Sequence, residues 1–143
     1  TGLPSIGDDS GLEVDALGGE PGVRSSRYAG EDASDGQRNE LLLNKLYNTS
    51  EKTWAARFRC AIAVRTPERP VGLYIGECQG QIISEPRGSN GFGYDPIFLL
   101  EGSDKTTAEL SPDEKNAISH RGKAACKVVR ALEERTSNAS MRR

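Results

Sequence analysis

Residues 54–64 read Trp54-Ala55-Ala56-Arg57-Phe58-Arg59-Cys60-Ala61-Ile62-Ala63-Val64, and their alternation decides the fold. Ala56, Phe58, Cys60, Ile62 and Val64 fall on one side. Arg57, Arg59, Ala61 and Ala63 fall on the other, which is the period of two of a half-buried β-strand. Thr66-Pro67-Glu68-Arg69-Pro70 turns the chain, and Val71 to Cys78 supplies a second strand, so the pair predicts an antiparallel hairpin. Gln81 to Ser84 reads as a third short strand, and Arg57 and Arg59 as the exposed face of the sheet.

Beyond the hairpin, Gly88, Gly91 and Gly93 make the stretch from Pro86 to Asp95 a shaped loop, and Pro96 to Leu100 returns to an extended apolar run. Ser111-Pro112-Asp113-Glu114 starts a helix, with serine as N-cap, proline in the first turn and a capping-box glutamate. A break near Ser119 to Gly122 precedes a last helix striped by Ala124, Ala125, Val128, Val129 and Leu132, and residues 136–143 read as a polar, flexible tail. On the N-terminal side, Leu3 to Asp9 predicts a strand ending in an acidic pair, and Leu12 to Leu17 a second extended segment, with Ser10-Gly11 turning the backbone between them. Gly18 to Gly22 is a turn cluster, Val23 to Ala29 a loop, and Asp35 the expected N-cap of a helix through Leu41, Leu42, Lys45 and Leu46 to about Asn48.

The 143 residues fit a single domain, 1–143, with no internal repeat or linker. A formal charge of −2 excludes a protein that coats nucleic acid through bulk electrostatics. No apolar run approaches the ~18 residues that a membrane span needs. Cys60, Cys78 and Cys126 are widely spaced and accompany a single histidine, so they form no zinc pattern. They read as reduced thiols of a cytoplasmic protein. Thr1-Gly2-Leu3-Pro4 shows neither the basic nor the apolar region of a secretion signal.

Three short islands carry chemistry. Asp8-Asp9-Ser10-Gly11 offers adjacent carboxylates of the kind that hold Mg²⁺ or activate water. In an extended chain only one of the two faces a given cleft, and Asp9 is expected to do so, with Ser10 lining the same cleft. Gly91-Phe92-Gly93-Tyr94-Asp95 places aromatic faces on a glycine-flexed loop suited to stacking on a flat ring, with Asp95 as an acceptor for a base N–H. His120-Arg121 sets an imidazole and a guanidinium at a helix start, with Lys115 one turn upstream, while Arg24 and Arg27 are further candidate cations. Taken singly, each island also fits a plainer role: a solvated turn, a core loop, a charged helix face.

In this order the islands resemble the inosine triphosphate pyrophosphatase family, the non-canonical purine NTP or dITP/XTP pyrophosphatases. The similar stretches are residues 3–17, Pro21-Gly22-Val23 with Ser26 to Gly30, Arg57-Phe58, Gly91 to Phe98, Thr107 to Leu110 and Glu114 to Ala124. The resemblance implies an α/β fold, a mixed twisted sheet flanked by helices in a two-lobed shape. It also implies hydrolysis of ITP, dITP and XTP to monophosphate and pyrophosphate with Mg²⁺, by a homodimer that cleanses the nucleotide pool. By the same resemblance Asp9 is the proton acceptor and metal ligand, and Ser10, Lys115 and the loop Phe92, Gly93, Tyr94, Asp95 contact substrate. His120 and Arg121 read the purine 6-oxo edge. The family pattern opens with a strand, a Thr/Ser-x-Asn-x-x-Lys phosphate-binding turn and helices bearing another metal-binding glutamate before the Leu-Pro segment. This sequence begins at that segment, so the expectation is the C-terminal part of the fold, truncated at its N-terminus, with impaired turnover. The alternative is an inactive nucleotide-binding or dimerising remnant.

Overall fold

The alternating run forms β3 (Trp54–Thr66), which pairs with β1 (Ser5–Val14) on one side and β4 (Arg69–Ile82) on the other. With β2 (Pro21–Gly22) and β5 (Phe98–Leu100) the described residues form a sheet of five strands in the order β2-β1-β3-β4-β5, every neighbouring pair antiparallel. Among the described residues three α-helices complete the α/β fold: α1 (Asp35–Tyr47), α2 (Pro112–Ile118) and α3 (His120–Ser140). The computed structural model describes residues 2–67 and 69–140.

One face of the sheet carries the core. Ala56, Cys60 and Val64 of β3 are buried, and the register sets Leu12 opposite Phe58 and Val14 opposite Ala56. Leu42 and Leu46 of α1, with Tyr94, Ile97 and Phe98, close over Leu12, Val14, Cys78 and Ile82. Each fully buried leucine or isoleucine contributes about 1.5–3 kcal/mol by leaving water. Helix α3 lies on the same face and presses its first turns against β4. At Gly76 an added Cβ would stand 2.0 Å from the His120 carbonyl oxygen and 2.6 Å from the Ala124 amide nitrogen. Only a glycine lets helix and strand approach this closely. The opposite face is polar along Glu13, Arg57, Arg59 and Glu77, where Arg57 Nε lies 2.7 Å from Glu13 and Arg59 Nε 3.5 Å from Glu77. That is the exposed arginine face the alternation implied.

Several local expectations change. The two expected segments merge into one strand, Ser5–Val14: β1 stays in register with β3 from Ser5 opposite Arg65 to Val14 opposite Ala56. Ser10-Gly11 therefore does not turn, because continuous ladder pairing outweighs the local freedom of a glycine, and only Asp15–Leu17 leaves the strand, as one 3₁₀ turn. Gln81 is not in a separate strand, since β4 runs unbroken to Ile82. The N-cap of α1 is Ser34 and not Asp35. The Ser34 hydroxyl accepts from the Gln37 amide at 3.2 Å while the Gln37 side chain accepts from the Ser34 amide at 2.8 Å. The expected polar tail begins inside α3, which continues to Ser140 with no glycine or proline to stop it; residues 141–143 of that tail lie outside the described residues. Both features expected around the C-terminal helices are present: the Ser111–Glu114 capping box and an extended break at Ser119. Cys60, Cys78 and Cys126 are free thiols, and no helix among the described residues is long and apolar enough to cross a membrane.

The close packing at Gly76 gives a test of the fold. Gly76→Ala should cost about 2–3 kcal/mol as the α3 backbone is forced off the sheet, read as a lower urea midpoint. Gly7→Ala on β1, whose added carbon meets nothing within 4 Å, should stay within about 0.5 kcal/mol of the parent. Equal stability of the two variants would contradict the packing described.

Candidate functional site

A cavity of about 410 Å³ opens on the core face between β1, the glycine-rich loop and the α2–α3 break. Its size falls within the usual range for small-molecule sites. Ser119 makes the break: its backbone is extended at the end of α2, and its hydroxyl accepts from the Gly122 amide at 3.0 Å, capping α3. His120 and Arg121 are thereby the first residues of α3, where amide groups have no intrahelical partner and favour an acceptor. The His120 ring stacks on Phe58 with centroids 5.0 Å apart and planes 15° from parallel. Burial, assisted by the neighbouring Arg121 and Lys115 charges, pushes the imidazole down to about 4, so it is neutral near pH 7. The Arg121 Nε donates to Asp8 Oδ2 at 3.1 Å.

The two aromatic residues of the loop separate in role. Tyr94 is 4% exposed, packs in the core and donates its hydroxyl to the Ser25 carbonyl at 2.9 Å. Burial pushes its phenol well up. Phe92 is 65% exposed, between Gly91 at φ +79° and Gly93 at φ +62°. Lys115 Nζ lies 4.9 Å from its ring centroid and the Arg121 guanidinium 6.0 Å. Phe92 is the ring available for stacking. Asp95 is 3% exposed, and its carboxylate is taken up within the protein: it accepts from Thr107 Oγ1 at 2.9 Å, from the Phe92 amide at 2.8 Å, and from Lys115. Its part in the site is to hold Phe92 and Lys115 in place, and not to offer an acceptor to a ligand.

Ser10 lines the cavity, and its hydroxyl is buried with no hydrogen-bond partner among the described residues. Such a group costs stability unless a ligand or water completes it. Asp9 lies elsewhere. Its partner Ala61 belongs to the Arg57–Arg59 side of β3, whereas Asp8, opposite Ile62, shares the cavity side with Ser10. Asp9 and Ser10 therefore do not face one cleft, contrary to the sequence expectation. Asp9 is exposed and its carboxylate makes no ion pair or hydrogen bond among the described residues, while the Asp8 carboxylate is engaged with Arg121. The two sides meet at an edge. β2 pairs only with Leu12 and Glu13, leaving β1 from Ser5 to Gly11 with β3 as its one described neighbour. The Leu12 and Val14 amides point to that outer edge, donating to Ser25 Oγ at 2.8 Å and the Glu20 carbonyl at 3.0 Å. By alternation the Asp8 and Ser10 amides point there too.

Among the described residues no three histidine, cysteine, aspartate or glutamate side chains gather into a metal group. The acidic pair is still compatible with Mg²⁺, which is commonly held by one or two carboxylates together with substrate phosphates. Arg24 and Arg27 are exposed and do not line the cavity. Sequence reading overlooked Asp35 and Asn39 of α1. Asp35 Oδ2 accepts from the Gly93 amide at 2.7 Å, and Asn39 Nδ2 donates to the Gly93 carbonyl at 3.2 Å. The signal was the Ser34-x-x-Gln37 capping box, which releases Asp35 from capping its own helix.

The Ham1 family model matches residues 1–131. The chain belongs to the Ham1 family. A curated dITP/XTP pyrophosphatase of Geobacillus kaustophilus is 53% identical over 131 residues, 92% of this chain and 64% of that protein. One from Syntrophobacter fumaroxidans is 47% identical, over 99% of this chain and 63% of its own length. This Ham1-family chain thus spans about 63–64% of the length of these curated relatives. Among solved structures, a HAM1 protein from Coxiella burnetii superposes with a TM-score of 0.89 at 47% identity, covering 94% of this chain and 69% of that one. The Staphylococcus aureus Ham1 protein gives 0.88 at 46% identity, with the same coverage of 94% and 69%.

The depressed His120 value has a signed consequence. Between about 4 and the ordinary imidazole value near 6.5 the unfolded chain takes up a proton that the native chain refuses. This contribution to stability is intact above about 6.5 and is lost as pH falls towards about 4. Urea midpoints measured at pH 4.5 and 7 should therefore differ less in His120→Gln than in the parent. An equal pH difference in both would contradict a neutral, buried imidazole.

Proposed function

We propose that this chain binds non-canonical purine nucleoside triphosphates, ITP, dITP and XTP, and hydrolyses them to monophosphate and pyrophosphate. The observation that carries the reading is the exposed Phe92 ring on its glycine hinges beside the neutral imidazole and guanidinium of His120-Arg121. Its support from relatives is the name dITP/XTP pyrophosphatase borne by proteins about half identical to this one. A purine stacks on Phe92, an interaction worth ~1–3 kcal/mol. His120 and Arg121 donate to its 6-oxo group, whereas the 6-amino group of adenine meets them donor to donor. The orphaned Ser10 hydroxyl and the outward amides of β1 receive ribose and phosphate oxygens as the nucleotide crosses the strand edge, with Lys115 as point charge. Across that edge Asp9, exposed and unengaged, is the carboxylate left to ligate Mg²⁺ and take the proton of the attacking water. When bound there, Mg²⁺ would supply positive charge to the phosphate oxygens. A homodimer in the cytoplasm completes the proposal. Its support is the exposure of Val71 and Leu73 on β4, an apolar surface for a second copy, and the free thiols.

One observation favours a second reading, binding without turnover. Lys115 is already paired with Asp95 and Arg121 with Asp8, so the described site offers a triphosphate few uncommitted cations. Pyrophosphate release from dITP with Mg²⁺, beside calorimetric binding of the same nucleotide, separates the two readings. Release above background that is lost in Asp9→Asn supports hydrolysis. Binding without release supports the second reading, and neither binding nor release would contradict both.

Base recognition is tested separately. Arg121→Ala should lower the preference for ITP over ATP by about 1–3 kcal/mol, the cost of a desolvated polar edge left unmatched. A variant that weakens both nucleotides equally would instead assign Arg121 to the phosphates.

A further inference from the structure

We propose that Asp35, in the first turn of α1, is a positioning residue that holds Phe92 where the purine stacks; this rests on the nucleotide-binding reading above. Phe92 stands between two glycines in left-handed conformations, so no regular secondary structure fixes its ring. Its neighbouring backbone is fixed by hydrogen bonds. The Phe92 amide donates to Asp95 Oδ2 at 2.8 Å, and the Phe92 carbonyl accepts from the Asp95 amide at 3.2 Å. These two bonds tie Phe92 to the buried Asp95, which Thr107 and Lys115 hold on the inner side of the turn. The bonds at Gly93 leave it, joining the loop to α1, 58 residues away for Asp35 and 54 for Asn39. The anchor at Asp35 is the shorter and is charge-assisted, at 2.7 Å against 3.2 Å.

The carboxylate is itself held in place. Ser34 caps the helix, so Asp35 is free to face the loop. Arg38 one turn on grips its other oxygen at 2.5 Å and donates to the Ser26 carbonyl at 2.9 Å. The Arg38 guanidinium and the Gly93 amide keep the Asp35 carboxyl below the usual carboxylate range. The result is one linkage from the loop at Ser26, through Arg38 and Asp35, to the hinge beside Phe92. Because the Asp35 side chain is 46% exposed, its removal loosens this linkage with little loss of core packing.

A double-mutant cycle on the full chain tests this, with inosine 5′-monophosphate as ligand by calorimetry and thermal unfolding as control. Asp35→Ala should weaken binding roughly tenfold, the effect of one charge-assisted hydrogen bond, and Asp35→Asn, which keeps an acceptor for Gly93, should recover most of it. In a Phe92→Ala background Asp35→Ala should cost nothing further, since its effect passes through that ring. Full additivity, or wild-type affinity in Asp35→Ala, would overturn the inference. A parent chain that does not bind the monophosphate contradicts the nucleotide reading instead. In that case amide exchange at Gly93 in the ligand-free protein still decides whether Asp35 holds the loop: faster exchange in Asp35→Ala and not in Asp35→Asn supports it, unchanged exchange in both refutes it.

Discussion

A carboxylate as buried as that of Asp95 must be fully partnered, because an unpaired charge in a protein interior costs several kcal/mol. The partners it recruits define the site. Thr107 comes from the turn after β5, Lys115 from α2, and the Phe92 amide from the glycine-rich loop, so three separate segments converge on one side chain. The convergence also dictates the residue at position 91. A Cβ there would fall 2.1 Å from Asp95 Oδ2, on a backbone already at φ +79°. The loop is glycine-rich at this point because the carboxylate occupies the space. Removing the charge would leave Lys115 without its partner and the ring of Phe92 without one of its backbone anchors.

Close approach is the second constraint. Gly76 seats the start of α3 against β4, and at Gly122 a Cβ would lie 2.0 Å from the Asn116 carbonyl oxygen, so α2 and α3 meet almost backbone to backbone. These two glycines bring His120 down onto Phe58, where the stacked rings desolvate the imidazole and keep it neutral. A neutral imidazole beside a fixed guanidinium is a hydrogen-bonding edge. It is suited to a carbonyl oxygen, and less to a phosphate than two cations would be. The chemistry of the cavity thus follows from packing in the sheet beneath it.

How much of this was legible depended on the range of the interactions involved. The alternation of residues 54–64 and the capping box at Ser111–Glu114 are local, and both formed as read. So did the break at Ser119 that sets His120 and Arg121 at a helix start. Ser10-Gly11 was misread as a turn because its conformation is imposed by pairing with β3, some fifty residues on in a sequence that does not state the register. Phe92 and Tyr94 are equivalent in sequence, flanked by the same glycine. They diverge through long-range packing: Tyr94 sits in the core, where its hydroxyl donates to the Ser25 carbonyl, while Phe92 stays exposed. Asp35 was hidden by its own suitability as a cap, a role that Ser34 fills.

An amide chemical-shift map with inosine reads out whether a 6-oxopurine base enters between Phe92 and the start of α3. A nucleoside carries no phosphate, so cation binding cannot mimic the result. The largest shifts are expected at Phe92, Gly93, His120, Arg121 and Ser10, absent with adenosine, and none on the Arg57–Glu77 face of the sheet. Shifts on that polar face, or equal responses to inosine and adenosine, would contradict that placement of the base.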